Sequence, residues 1–160
     1  MSQRLKNRAG LTLIELIIAL AIMGILASVA MPLAEVTVKR TKELELRRNL
    51  LTIRKAIDSY REDYNNAVKS QKINADLEKT GYPQTLETLT TATDWHGLYP
   101  FPKKYLRRIP HDPFDSYDEG WGMRSYQDKS DSSIWGEEDV YDIYSQSDKT
   151  ALDGSYYQDW

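Results

Sequence analysis

The sequence predicts an α+β chain: one long N-terminal α-helix, its first half embedded in a membrane, packed in its second half on a small antiparallel β-sheet. Three observations carry this. Residues 11–33 form an apolar block of 23 residues with one charge, Glu15. No Pro or Gly occurs between Leu33 and Thr80, and Leu46, Leu50, Ile53, Ile57, Tyr60 and Tyr64 recur at alternating spacings of four and three, the signature of a helical stripe. Beyond residue 110, short β-branched and aromatic runs alternate with Gly, Asp and Ser, as in a sheet with tight turns.

Residues 1–10 carry Arg4, Lys6 and Arg8 and no acid. They precede a block long enough to cross a bilayer, since about 20 residues at a rise of about 1.5 Å suffice. Basic residues before such a block place the N-terminus in the cytoplasm. Three readings of the block compete. A cleaved secretory signal would use the small residues Ser28-Val29-Ala30, but its apolar region is long for that purpose and contains Glu15. A plain anchor leaves Glu15 unexplained, because a carboxylate in a membrane helix costs about 2.5–3.5 kcal/mol at the centre on insertion scales and usually has a partner. A third reading gives it one: if the chain is cut just before Leu11, Glu15 becomes the fifth residue and can meet the terminal amine of a neighbouring chain.

The stripe 46–64 predicts an amphipathic helix continuing to about residue 67, with Arg47, Arg48, Arg54, Lys55, Asp58, Arg61 and Glu62 on its solvated side. Glu45 with Arg47 or Arg48 are candidates for pairing between subunits. Pro32 lies within the helix, where membrane helices tolerate proline better than soluble ones do. Residues 69–79 extend the helix or form a loop, Gly81-Tyr82-Pro83 is a break, and Leu86 and Leu89 suggest a short helix over 85–91. Residues 94–114 are loop-like, with four prolines. Strands are expected at 121–126, 133–135 and 140–145, giving a small meander. Four segments result: a basic segment at 1–10, a transmembrane helix at 11–33, an amphipathic helix at 34–67 and a C-terminal region at 68–160.

Charge divides the chain the same way. Residues 34–110 hold 15 bases and 10 acids, whereas residues 111–160 hold 3 bases and 13 acids. An overall charge of −3 disfavours nucleic-acid binding. The absence of Cys excludes thiol catalysis, disulfide scaffolds and Cys-ligated zinc. His96 and His111 have no spaced partners and read as loop residues; no nucleophile–base motif or phosphate loop is present, so the sequence predicts no catalytic residues and no enzyme activity. All four Trp and nine of eleven Tyr follow residue 80, which reads as the aromatic core of the sheet region.

The run Gly10-Leu11-Thr12-Leu13-Ile14-Glu15, with its basic leader, uninterrupted apolar helix and Pro32, resembles the signal of type IV pilins and type II secretion pseudopilins. The C-terminal half resembles the major, G-type pseudopilins in Arg107-Arg108-Ile109-Pro110-His111-Asp112-Pro113-Phe114, in Tyr141-Asp142-Ile143-Tyr144-Ser145 and in the terminal Asp159-Trp160. The resemblance implies a type IV pilin-like fold and a prepilin cleaved after Gly10 by a prepilin peptidase, then N-methylated at Leu11. It implies assembly into a homo-oligomeric helical fibre through the apolar helix, with Glu15 neutralising a neighbour's N-terminus. The product would be a single-pass protein of the bacterial inner membrane with its C-terminal region in the periplasm. There it would join minor pseudopilins and an inner-membrane secretion platform in a pseudopilus that drives protein export. A type IV pilus subunit for adhesion or motility is the alternative; such pilins often carry a C-terminal disulfide, which a chain without Cys does not offer. The family also implies one calcium ion in the loop after the last strand. Asp148 and Asp153 match those ligands best, although their spacing is shorter than usual, Lys149 adds an adverse charge, and Asp is in any case common in turns.

Overall fold

A computed structural model describes residues 12–74 and 80–160. Its helix α1 runs Leu13–Lys69, and a two-stranded antiparallel sheet is built from β1, Trp121–Arg124, and β2, Asp142–Ser145. The architecture is therefore the α+β one expected of a type IV pilin-like chain. The chain divides into two compact units, Met1–Lys39 and Arg40–Trp160.

In the first unit, α1 carries an exposed apolar surface. Leu13, Met23, Ile25 and Leu33 are each exposed, Leu13 most at 76%. Pro32 is inside the helix without ending it. Ser28 and Thr37 return their hydroxyls to the carbonyls of Ile25 and Leu33, a local satisfaction of polar groups that lets small hydroxyl residues sit in an apolar helix.

In the second unit the predicted stripe becomes the core. Leu46, Leu50, Ile53 and Ile57 are buried, and Tyr60 packs at the cluster's edge. They meet Leu86, Leu89, Leu106, Trp121, Val140, Ile143 and Tyr157. Each fully buried aliphatic of this kind is worth about 1.5–3 kcal/mol relative to exposure, so the stripe is the main attachment of the helix to the C-terminal region. The helix leaves its axis after Lys69, where the amides of Gln71 and Lys72 return to the carbonyls of Val68 and Ala67.

The sheet is smaller than the expected meander. Its register pairs Trp121 with Ser145 and Arg124 with Asp142, and residues 133–135 form no strand. Main-chain groups there are taken by side chains instead: Arg124 Nε donates to the Ser132 carbonyl at 2.9 Å and the Tyr144 hydroxyl donates to the Ser133 carbonyl at 3.3 Å. Likewise the helix expected over 85–91 is a single 3-10 turn, Leu86–Leu89, because its carbonyls close on residues three ahead and Leu89 then hands its own carbonyl to Tyr105 and Leu106. Gly122 lies against the Tyr144 ring in the paired register, leaving no room for a Cβ.

The C-terminal residues return to the helix. Glu43 Oε1 accepts from the Leu152 amide at 2.8 Å and from the Tyr157 hydroxyl at 2.9 Å. The Tyr157 ring stacks on Phe114 at 4.0 Å between centroids and meets Trp160 edge-on at 5.1 Å.

Candidate functional site

The processing and assembly residues expected from the sequence lie at the start of α1. Gly10 and Leu11 lie outside the described residues. Thr12 and Glu15 lie within them, and the Glu15 amide donates to Thr12 Oγ1 at 3.3 Å while the Leu16 amide reaches the Thr12 carbonyl at 3.1 Å. Thr12 is thus the N-cap of the helix, and Thr12-x-x-Glu15 is a capping-box pattern, a signal legible in the sequence that the reading of Glu15 as an assembly residue passed over. Glu15 also sits in the first turn, where the helix dipole favours an anion. Its carboxylate is exposed and takes no hydrogen bond or ion pair among the described residues. A satisfied backbone and an uncommitted carboxylate leave the side chain available to a second chain.

The two carboxylates expected to hold calcium go to different tasks. Asp153 closes its own turn: Oδ1 accepts from the Ser155 hydroxyl at 2.6 Å and the Ser155 amide at 3.0 Å, while Oδ2 lies 3.7 Å from Arg47. The Ser155 hydroxyl, the Ser155 amide and the Arg47 charge together hold this carboxyl below the ordinary range. Asp148 instead lines an open cavity of about 360 Å³ with Asp115, Glu119 and Lys149, and Asp153 is not among the lining residues. Asp115 spends both oxygens on main-chain amides, Tyr117 at 3.0 Å and Gly120 at 2.8 Å, and these bonds depress its pKa, that from Gly120 most. His111, Asp115 and Asp118 approach one another as a further group, with His111 Nε2 3.6 Å from Asp118 Oδ1.

Sequence reasoning missed two polar centres in the second unit. Asp63, on the helix, is 3% exposed and accepts from the Tyr99 hydroxyl at 2.7 Å, the Tyr105 hydroxyl at 2.6 Å and Lys103 Nζ at 2.7 Å. Trp95 Nε1 donates on to the Tyr105 hydroxyl at 2.7 Å. Burial alone would raise the Asp63 carboxyl, but the three donors outweigh it and hold it below its ordinary value. The same burial, together with the Asp63 charge, drives the Tyr105 hydroxyl well above the usual tyrosine range. The second centre is Arg54, whose Nε lies 2.6 Å from Asp142 Oδ1 while Nη2 donates to the main-chain oxygens of Ile143 at 2.9 Å and Trp160 at 2.6 Å. Both centres tie α1 to segments far along the chain, which no local spacing in the sequence records.

Among the described residues, α1 is the one helix long and apolar enough to cross a membrane. No curated protein and no solved structure matches the chain significantly. Residues 5–31 match the family model of the prokaryotic N-terminal methylation motif, so the chain carries a prepilin-type processing signal joined to an apolar helix suited to membrane anchoring, as type IV pilin-like proteins do.

Proposed function

We propose that this chain is a structural subunit of a type II secretion pseudopilus. It is made as a prepilin in the inner membrane, cut after Gly10, methylated at Leu11 and polymerised through its apolar helix, with the C-terminal region in the periplasm. The observation that carries this reading is the conjunction of the methylation motif with a helix on which Leu13, Leu16, Leu20, Met23, Ile25 and Leu33 are exposed. Such a surface must lie in lipid or against other copies, because exposed apolar area of this extent is unfavourable in water. The uncommitted Glu15 carboxylate then meets a neighbour's Leu11 amine, which removes two unpaired charges from the fibre core.

The Asp112-Pro113-Phe114 run and the lack of Cys favour the pseudopilus over a type IV pilus. The chain's contribution is packing rather than catalysis; its partners are its own copies, minor pseudopilins, the secretion platform and the peptidase that cuts it. The intact mass of the mature chain tests the class: loss of residues 1–10 with gain of one methyl supports it, and retention of those residues or a cut after Ala30 refutes it.

Calcium enters on the same terms. Asp148 suits a hard cation, which takes six to eight oxygen ligands, since it faces a cavity shared with Asp115 and Glu119. Asp153, as placed, serves its own turn and would have to leave Ser155 and Arg47 to join. Lys149 adds an opposing charge at the cavity wall. Calorimetric titration with Ca²⁺ checks this: absence of uptake, with no Ca²⁺-dependent rise in melting temperature, rules the ion out.

A further inference from the structure

We propose that the acidic loop carrying Ile134 on one copy seats in a basic, leucine-lined groove on α1 of a second copy; the inference rests on the fibre reading above and specifies one of its contacts. On the helix, Leu51 is 55% exposed and borders an open groove of about 400 Å³ lined also by Arg47, Leu50, Arg54 and Trp160. Its four helical neighbours at i−4, i−3, i+3 and i+4 are Arg47, Arg48, Arg54 and Lys55, every one a cation. Two of them are committed within the chain: Arg47 lies over the Trp160 ring at 4.0 Å and beside Asp153, and Arg54 holds Asp142. Arg48 and Lys55 are exposed and have no ion pair among the described residues. An apolar side chain ringed by positive charge, with half of that charge unspent, calls for an apolar group ringed by negative charge.

Residues 128–139 supply one. They hold five acids and one base. Asp128 Oδ2 accepts the amides of Ser125 at 2.7 Å and Gly136 at 3.1 Å, and Trp135 Nε1 donates to the Asp139 carbonyl at 2.7 Å, so the loop is pinned from several sides. Yet Ile134 is left 79% exposed, with Asp131, Glu137 and Glu138 exposed on either side of it in sequence. A loop held this firmly could have turned a polar residue outward at no loss to its own bonds. It presents an aliphatic side chain on a backbone already held, so little backbone entropy is spent when it docks. Groove and loop are different patches of one chain. Contacts between unlike patches propagate from copy to copy into open helical assemblies when the rotation does not close, which is the symmetry a fibre requires.

The chain has no Cys, so introduced thiols report unambiguously. Two full-length variants, Leu51→Cys and Ile134→Cys, carrying different tags, are co-expressed and the membranes oxidised. The expected product is a mixed dimer in large excess over either like-with-like dimer. Arg48→Glu placed in the Leu51→Cys copy should lower its yield roughly tenfold, and Glu137→Lys in the Ile134→Cys copy should restore it. Equal accumulation of all variants in the membrane shows that folding is not at issue. Fibres are scored in parallel by shearing and sedimentation. Fibres without the mixed disulfide overturn this contact while leaving the fibre reading intact. A mixed disulfide that responds to the charge reversal, in a chain that forms no fibres, supports the contact and refutes the fibre. Formation of the mixed disulfide without response to charge reversal overturns the complementarity on which the contact is argued.

Discussion

Lys103 Nζ stands 2.7 Å from Asp63 Oδ2, across 40 residues of chain, and the Asp63 side chain is 4% exposed. The pair fastens residues 93–105 to the helix, together with the isolated bridge between Thr93 and Lys103 and the two tyrosine hydroxyls that share the same carboxylate. Lys103 is itself partly exposed and lies about 5 Å from the Tyr99 and Tyr105 rings, so its charge is both paired and shielded by aromatic faces. Replacing Lys103 by Met should destabilise the second unit by about 1–3 kcal/mol, the range for leaving a buried charged group short of one donor. Thermal melting of the detergent-solubilised chain checks the loss.

Acid should act through the same carboxylate. The folded-state pKa of Asp63 is lowered from its ordinary value of 3.8. Its contribution is therefore complete above that value and is lost as pH falls through the lower folded one. Between neutral pH and about pH 5 the melting temperature should owe nothing to Asp63 titration. Below about pH 4 the parent chain should lose stability more steeply than Asp63→Asn, which has no charge to surrender. Parallel acid-melting curves for the two chains would contradict this.

Arg54 makes a second long-range fastening whose geometry depends on the planar guanidinium. One side chain reaches Asp142 through Nε and two main-chain oxygens through Nη2. Lysine carries the charge but has no fork to divide among three acceptors. Arg54→Lys should therefore lose about as much stability as Arg54→Met, about 1–3 kcal/mol, and a fully stable lysine variant in urea unfolding would show that charge alone suffices.

Gly122 is needed for its lack of a side chain rather than for its backbone. It pairs with Tyr144 in the sheet, and a Cβ would collide with the hydroxyl-bearing edge of the Tyr144 ring, which itself lies under Arg124 at 4.0 Å. Gly122→Ala should cost about 1–3 kcal/mol, as overpacking does. The double variant Gly122→Ala/Tyr144→Val should recover part of that loss, a result that a general intolerance of alanine in the strand would not produce.

At the other end of the chain, Glu15→Ala should leave the protein in the membrane while impairing fibre assembly, since the apolar helix is unchanged and only the carboxylate is removed. Glu15→Gln isolates the charge, because it keeps the size and polarity of the side chain, and the Thr12 cap on the backbone is untouched in both variants. Assembly lost in both variants assigns the effect to charge; normal fibres from Glu15→Gln would refute the charge pairing.

The expected strand at 133–135 shows where local reading fails. Isoleucine and tryptophan favour strands, but whether a strand forms depends on a partner with free main-chain groups at the right distance. Here the neighbouring carbonyls are claimed by Arg124 and Tyr144 from β1 and β2, and Trp135 turns its indole to the Asp139 carbonyl. Asp63 was invisible for a related reason. In sequence it is one acid among the charges of a helix surface; its burial comes from Tyr99, Lys103 and Tyr105 folding back over it.

The features legible along the chain are periodic or contiguous: the apolar block, the helical stripe from Leu46 to Ile57, the processing motif, and the opposite charge of the chain's middle and end. These are legible because helices and membranes impose their spacing on neighbouring residues. Which charges are buried, which carboxylates close their own turns, and where a pinned loop leaves Ile134 in solvent follow from the folded chain alone. Those outcomes depend on contacts between residues separated by tens of positions, and the free energy of such a contact belongs to neither residue until the fold brings both together.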